Sequence, residues 1–402
     1  MRDRSTLAAK PIQQKTDRFQ GKLAVIIGAT GPYHIARLTA LHRLLEKHGC
    51  QLALVLRNGR IAEYPWFADP GALPFEVVRA YNENDTEPQS FRSGRLVHHA
   101  LSELKPDSIA FGMPSMAYLG PWLWGVKRGI PMVLFSESKL DDAPRKSWKE
   151  RAKREIYGRF DAAIVGGPPH IEYAASFGID RSCCFPGYDA VDNEHFRTGA
   201  AEARRRRASY SAQFDLPSHY WIAANRFVPK KNLPRLLEAY ARYRVAMGEE
   251  AWKLVLMGDG PDKGLLLEKR KQLGLENHII LPGLIPYETL PIYYGLASAF
   301  VHASTTEQWG LVVNEAMASR LPILISKTCG CASVLLDEGH NGASFYPEQT
   351  ESICQAFIDF HRTPVDNRVS MGLRSEAIVQ QWGPDRFATS MWSALNSKRP
   401  PK

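Results

Sequence analysis

No stretch of the 402-residue sequence approaches the run of about 20 apolar residues that a membrane-spanning helix needs. Residues 1–20 are polar throughout and lack the apolar centre of a secretory leader, so a cytoplasmic chain with a flexible tail over 1–20 is expected. Cysteine is scarce: the six (Cys50, Cys183, Cys184, Cys329, Cys331, Cys354) show neither CxxC spacing nor paired histidines. That argues against a zinc site or a disulfide scaffold and for reduced thiols. Short repeats and low-complexity segments are absent too, and 44% apolar with 23% charged residues argues against disorder. Acidic residues are in the minority, 42 against 51 Lys and Arg, and the net charge of +9 suits an anionic partner. The densest basic cluster, Arg204 to Arg207, has no interleaved aromatics of the kind single-strand binding favours. It reads as a solvated helix face or interdomain segment, or as a contact with an anionic membrane surface, and no nucleic acid partner is expected.

What is present is an alternation. Residues 22–28 (KLAVIIG) are a short apolar run ending in glycine, followed at 34–47 by apolar residues at helical spacing. Further strand candidates lie at 51–56, 75–79, 107–111, 131–135 and 161–165, with helical stretches between several of them. After residues 186–200 a second series begins, with strands at 220–224, 253–257, 278–281, 299–302 and 322–325. Helices are expected at 232–245, 264–273, 310–319 and 352–361. The pattern predicts an α/β protein of two Rossmann-like doubly wound domains facing each other across a cleft. Open parallel sheets bind ligands at the carboxyl ends of their strands, which places the site in that cleft.

Two constellations carry chemistry. Residues 226–232 (RFVPKKN) directly follow the first strand of the second unit, where Arg226 offers a planar fork and Lys231 a point charge for phosphate oxygens. Residues 307–315 (EQWGLVVNE) join a strand to a helix. Gly310 lets a ligand approach the backbone, and the N–H groups of Gly310 and Leu311 at the helix start favour phosphate. Glu307, in the loop, suits sugar hydroxyls, and Glu315, in the early helix, the two hydroxyls of a ribose.

These residues resemble the retaining GT-B glycosyltransferases of family 4, the glycosyltransferase group 1 family. The resemblance covers residues 220–361 and includes Arg226 and Lys231, the turn at 258–261 (GDGP), the loop at 282–284 (PGL) and the two glutamates with seven residues between. It implies that Glu307 contacts the donor sugar, Glu315 the ribose, Arg226 and Lys231 the diphosphate, and Leu284 the base. The N-terminal half resembles the family more loosely, through the loop Gly28-Ala-Thr-Gly31, in which Gly28 and Gly31 keep side chains away from the donor phosphates. The resemblance divides the chain into an acceptor-binding domain over 21–190, a nucleotide-sugar-binding domain over 191–375, and helices over 376–397 that return to the first domain. It implies a nucleotide-sugar co-substrate, a UDP-sugar, with no cofactor and no metal.

One departure concerns the acceptor side. Where many relatives place a histidine after the fifth strand, this chain reads Phe135-Ser-Glu-Ser-Lys, so Glu137, Ser136 or Ser138 takes that space. Asp141 and Asp142 are adjacent and so lack the spacing of a metal-binding DxD motif. His34, at the start of the first helix, is a candidate acceptor contact, or the general base of an inverting enzyme. The expected activity is metal-independent, retaining transfer of a hexose-type sugar onto a hydroxyl of a glycan, lipid-linked or small-molecule acceptor, with peripheral contact to an anionic membrane open. The rivals are an inverting transferase, a nucleotide-sugar epimerase and a non-catalytic sugar-nucleotide-binding relative.

Overall fold

The computed structural model describes residues 18–58, 73–81, 90–112 and 118–397. Residues 1–17 of the expected tail lie outside them. Among the described residues thirteen strands form two sheets. The first holds β1 (Lys22–Ile27), β2 (Gln51–Leu56), β3 (Glu76–Arg79), β4 (Ser108–Gly112), β5 (Met132–Ser136), β6 (Ala162–Val165) and β7 (Cys184–Pro186). The second holds β8 (Tyr220–Ala224), β9 (Lys253–Met257), β10 (Ile279–Gly283), β11 (Ala299–His302), β12 (Ile323–Ser326) and β13 (Gly342–Phe345). Every pairing is parallel. Parallel strands are covered by helices on both faces, which is why runs such as KLAVII and YWIAA are apolar along almost their whole length and buried almost without interruption.

The strand orders are β3-β2-β1-β4-β5-β6-β7 and β10-β9-β8-β11-β12-β13. In both sheets the first strand is central and the order reverses beside it, between β1 and β4 and between β8 and β11. A crevice opens at the carboxyl ends of those strand pairs. The two strands that periodicity did not indicate, β7 and β13, each lie at one edge of their sheet and are only three and four residues long.

Ile26, Phe111 and Leu134 centre the core of the first domain, and the second sheet carries one apolar cluster on each face. Val191 is already part of the second domain's core, and so are Val379 and Trp382. The return therefore begins later than residue 376. It consists of the helix Pro384–Leu395, whose Phe387, Ala388, Met391 and Ala394 complete the core of the first domain. No helix among the described residues is long and apolar enough to cross a membrane. The arginine cluster breaks between the helices Asn193–Arg205 and Arg207–Phe214, and its members have local partners. Arg204 donates to the Ser319 carbonyl, Arg205 pairs with Glu202, Arg206 lies 4.9 Å over the Tyr210 ring and Arg207 donates to the Ser218 carbonyl at 3.2 Å.

Candidate functional site

A cleft of about 640 Å³ lies where the carboxyl ends of the two sheets face each other. The second domain supplies most of its lining, from the loops after β8, β9, β10 and β11. The first domain contributes Pro32, Tyr33 and Glu137, and the crossing between domains contributes Asp189.

The segment after β8 is held in place before it meets any ligand. Gly258 (φ +127°) and Gly260 (φ +155°) follow β9 and press against it. A Cβ on Gly258 would stand 1.8 Å from the Asn225 carbonyl oxygen, and one on Gly260 2.5 Å from that of Phe227. Only glycine allows this approach, which fixes the backbone on both sides of Arg226. At the other end Asn232, in the left-handed region at φ +56°, donates from its amide to the carbonyls of Ala303 (3.1 Å) and Pro347 (2.7 Å). Arg226 and Lys230 are exposed at the cleft, whereas Lys231 turns inward and pairs with Glu307.

Glu307 is buried. Besides Lys231 it takes hydrogen bonds from His302 Nε2 at 2.9 Å and Ser304 Oγ at 3.1 Å. Burial alone would raise its pKa, but the His302 hydrogen bond and the Lys231 charge together hold the carboxyl well below the usual range. Burial pushes His302 down, so its imidazole is neutral and donates. The loop is fastened from beneath, since the Gly330 N–H donates to the Glu307 carbonyl at 3.1 Å and the Cys331 N–H to the Trp309 carbonyl at 3.2 Å. It is fastened from the first domain as well: His170 Nε2 meets the Gln308 carbonyl at 2.9 Å, and the Gln308 amide donates to Asp142 at 3.1 Å.

Gly310 adopts φ +102° at the start of the helix Leu311–Ala318, so the turn that aims the helix N-terminus into the cleft requires glycine. Glu315, inside this helix, accepts hydrogen bonds from the hydroxyls of Tyr33 and Tyr294, the latter at 2.8 Å. Burial raises its pKa to about 7 against those two bonds. Leu284 is half exposed at the cleft beside Ile285.

The structure thus brings Arg226, Lys231, Leu284, Glu307, Gly310, Leu311, Glu315 and Glu137 to one cleft. Gly28, Gly31, His34 and Ser138 are not among its lining residues; the glycine loop reaches it through the following Pro32 and Tyr33. Gly31 has φ −135°, extended backbone that any residue adopts. The Ser138 N–H donates to Ser136 Oγ at 3.3 Å. His34 is pushed down to about 3 by burial and then by Arg37, and its Nδ1 has no partner. Sequence reasoning passed over Tyr33, Asp189, Lys230 and His302. A signal existed for Lys230, which sits in a motif already singled out, whereas His302 showed only as the last residue of an expected strand. For Tyr33 and Asp189 only the approach of the two domains gives them meaning.

Residues 207–375 match the family model described as Glycosyl transferases group 1. Over 143 residues the chain is 27% identical to the alpha-monoglucosyldiacylglycerol synthase of Acholeplasma laidlawii, a match covering 36% of this chain and 35% of that protein. The chain therefore spans about a third of the length of this curated relative. Among solved structures, a glycosyltransferase from Rickettsia africae superposes with a TM-score of 0.71 at 13% identity, covering 94% of this chain and 98% of the other. Anabaena HepE, in complex with UDP and glucose, gives 0.70 at 16% identity, covering 93% and 99%. Identities this low speak for the fold alone, which is GT-B.

Proposed function

We propose, on the premise that the domain spanning residues 207–375 belongs to the group 1 glycosyl transferases, that this protein moves a hexose-type sugar from a nucleoside diphosphate, UDP, to an acceptor hydroxyl. The observation that carries the reading is the Glu307 constellation. One ionised carboxylate is fixed by Lys231, His302 and Ser304 beside the exposed cations Arg226 and Lys230 and below the helix start at Gly310. A sugar diphosphate fits that order, with hydroxyls at the carboxylate, phosphates at the cations and helix N-terminus, ribose at Glu315 and base at Leu284. As the glycosidic bond to the diphosphate breaks, negative charge grows on the leaving oxygen, where Arg226, Lys230, Lys231 and the first-turn N–H groups stabilise it. We assign that work to these groups rather than to a metal.

Retention follows if the acceptor hydroxyl attacks from the face the diphosphate leaves and gives its proton to a departing phosphate oxygen. His34 supports an inverting base poorly, because it lies off the cleft lining and burial keeps its basicity low. A peripheral anionic membrane contact is supported elsewhere than at the arginine cluster. The helix Ser147–Tyr157 buries none of its residues and exposes Trp148 among Lys149, Arg151 and Arg154, with Leu140 exposed nearby in sequence. The Acholeplasma relative is named for a glycolipid product, which suits such a surface.

Thermal-shift binding of UDP, GDP and ADP without metal tests the donor site. Selective stabilisation by UDP, lost in Arg226→Ala and Glu315→Ala, is expected; no stabilisation by any of the three overturns the reading.

A further inference from the structure

Two carboxyls at the wall of the cleft have no part in the donor arrangement. Glu137 follows the end of β5, and Asp189 lies on the crossing between the domains; both line the cleft with Glu307. Asp189 is 1% exposed, and neither of its carboxyl oxygens has a hydrogen-bond partner. A buried carboxyl without donors is costly, and native sites that keep one have a use for its unmet capacity.

The surroundings show why the protein does not satisfy Asp189 itself. Arg37 is the compensating charge, but it is buried and neither of its hydrogen bonds goes to Asp189. Its Nη1 donates to the Tyr188 carbonyl and its Nε to that of Tyr33 at 3.3 Å, with the guanidinium 4.5 Å over the Tyr188 ring. Behind Asp189 stands Gly166, where a Cβ would come within 2.9 Å of Oδ2 and 2.8 Å of the Trp309 ring. The carboxyl is therefore backed by a wall with no room for a side-chain donor, and the residue itself borders the cleft. Burial, then the charges of Glu137 and Glu307, push Asp189 up, with Arg37 opposing, so this corner resists further negative charge. Among the described residues no three His, Cys, Asp or Glu side chains are grouped to hold a metal ion. An organic group rich in hydrogen-bond donors fits instead.

We infer that Glu137 and Asp189 form a subsite, beside the donor sugar at Glu307, that accepts hydrogen bonds from uncharged hydroxyls of a sugar or polyol acceptor and turns away a phosphate- or carboxylate-bearing end. The inference rests on the transferase reading above. A hydroxyl of the donor sugar is the other source of the same chemistry, and the test separates the two.

The probes are methyl α-glucopyranoside and glucose 6-phosphate, followed by saturation-transfer difference NMR on the UDP-saturated protein, with calorimetry of UDP and UDP-glucose alongside. Wild type is expected to bind the methyl glucoside and not the phosphate. Glu137→Gln and Asp189→Asn should each weaken the glucoside about tenfold, the loss of one hydrogen bond to a buried carboxyl, and leave UDP and UDP-glucose affinity unchanged. Should Asp189→Asn fail to fold, Glu137→Gln carries the test alone. Weaker UDP-glucose with unchanged UDP would assign the pair to the donor sugar and overturn the inference. So would glucose 6-phosphate binding as well as the glucoside, or a wild type that takes UDP but not the glucoside. A wild type that binds none of UDP, GDP or ADP instead sinks the transferase reading beneath it.

Discussion

The Tyr33 hydroxyl, from the first domain, occupies one oxygen of Glu315, the residue assigned to ribose in the second. Donor binding must displace that bond, so Tyr33→Phe should tighten UDP by up to about tenfold, a hydrogen bond to a charged group being worth roughly 1.5–3 kcal/mol before compensation. Calorimetry decides, and weaker binding would mean that Tyr33 itself holds the nucleotide. Glu315 also sets a pH dependence. Its pKa is raised in the folded protein from 4.5 to about 7, so its contribution to stability is full below about pH 4.5 and is lost as pH rises through about 7. Glu315→Gln, neutral throughout, should therefore gain on wild type by about 2–3 kcal/mol between pH 5 and pH 8, read from unfolding at both values. Glu307 has the opposite sign, with stability present above the usual carboxylate range and lost as pH falls. The sequence displayed Glu307, Glu315, Arg226 and Lys231 because loop residues just past apolar runs stand at the carboxyl ends of strands. It could not display Asp189, whose significance comes from a wall formed by Gly166 and Trp309, far from it in the chain.

At the scale of the element, the turn after β9 acts as a template for the segment that carries Arg226. Gly258→Ala puts a methyl 1.8 Å from the Asn225 carbonyl at φ +127°, so β8 must shift or the turn must open. Gly274→Ala provides the control, having φ +63° but nothing within 4 Å. Both should lose about 1–2 kcal/mol to backbone strain, but only Gly258→Ala should lose more than this and also weaken UDP binding. Equal losses with equal UDP affinity would refute the template. Elements were readable in proportion to their length and burial. The six-residue β1 and β2 are apolar along almost their whole length, whereas β7 contains proline, β13 begins with glycine, and both lie at edges where half the burial signal is missing. The helix Leu290–Leu296 also escaped notice, since it is short and apolar on every side.

At the scale of the whole molecule, the two domains are tied by Gln308 to Asp142 and by the last described helix. Deleting residues 384–397 strips Phe387 and Met391 from the first core, each worth about 2–3 kcal/mol of burial. Limited proteolysis should then cut the first domain while 191–382 persists as a resistant fragment; uniform digestion would contradict this. Trp148→Ala combined with Lys149→Glu should reduce flotation with anionic vesicles and leave neutral vesicles unaffected. The placement of Pro384–Leu395 also orders events at birth. On the ribosome the strands of the first domain emerge early, but the helix that closes their core is translated some two hundred residues after β7. The second domain, whose core is contiguous from Val191 to Trp382, can close before the first does. The first part of the chain to be made is therefore the last to be finished, and a nascent chain stalled before residue 384 presents an unsealed apolar face to chaperones.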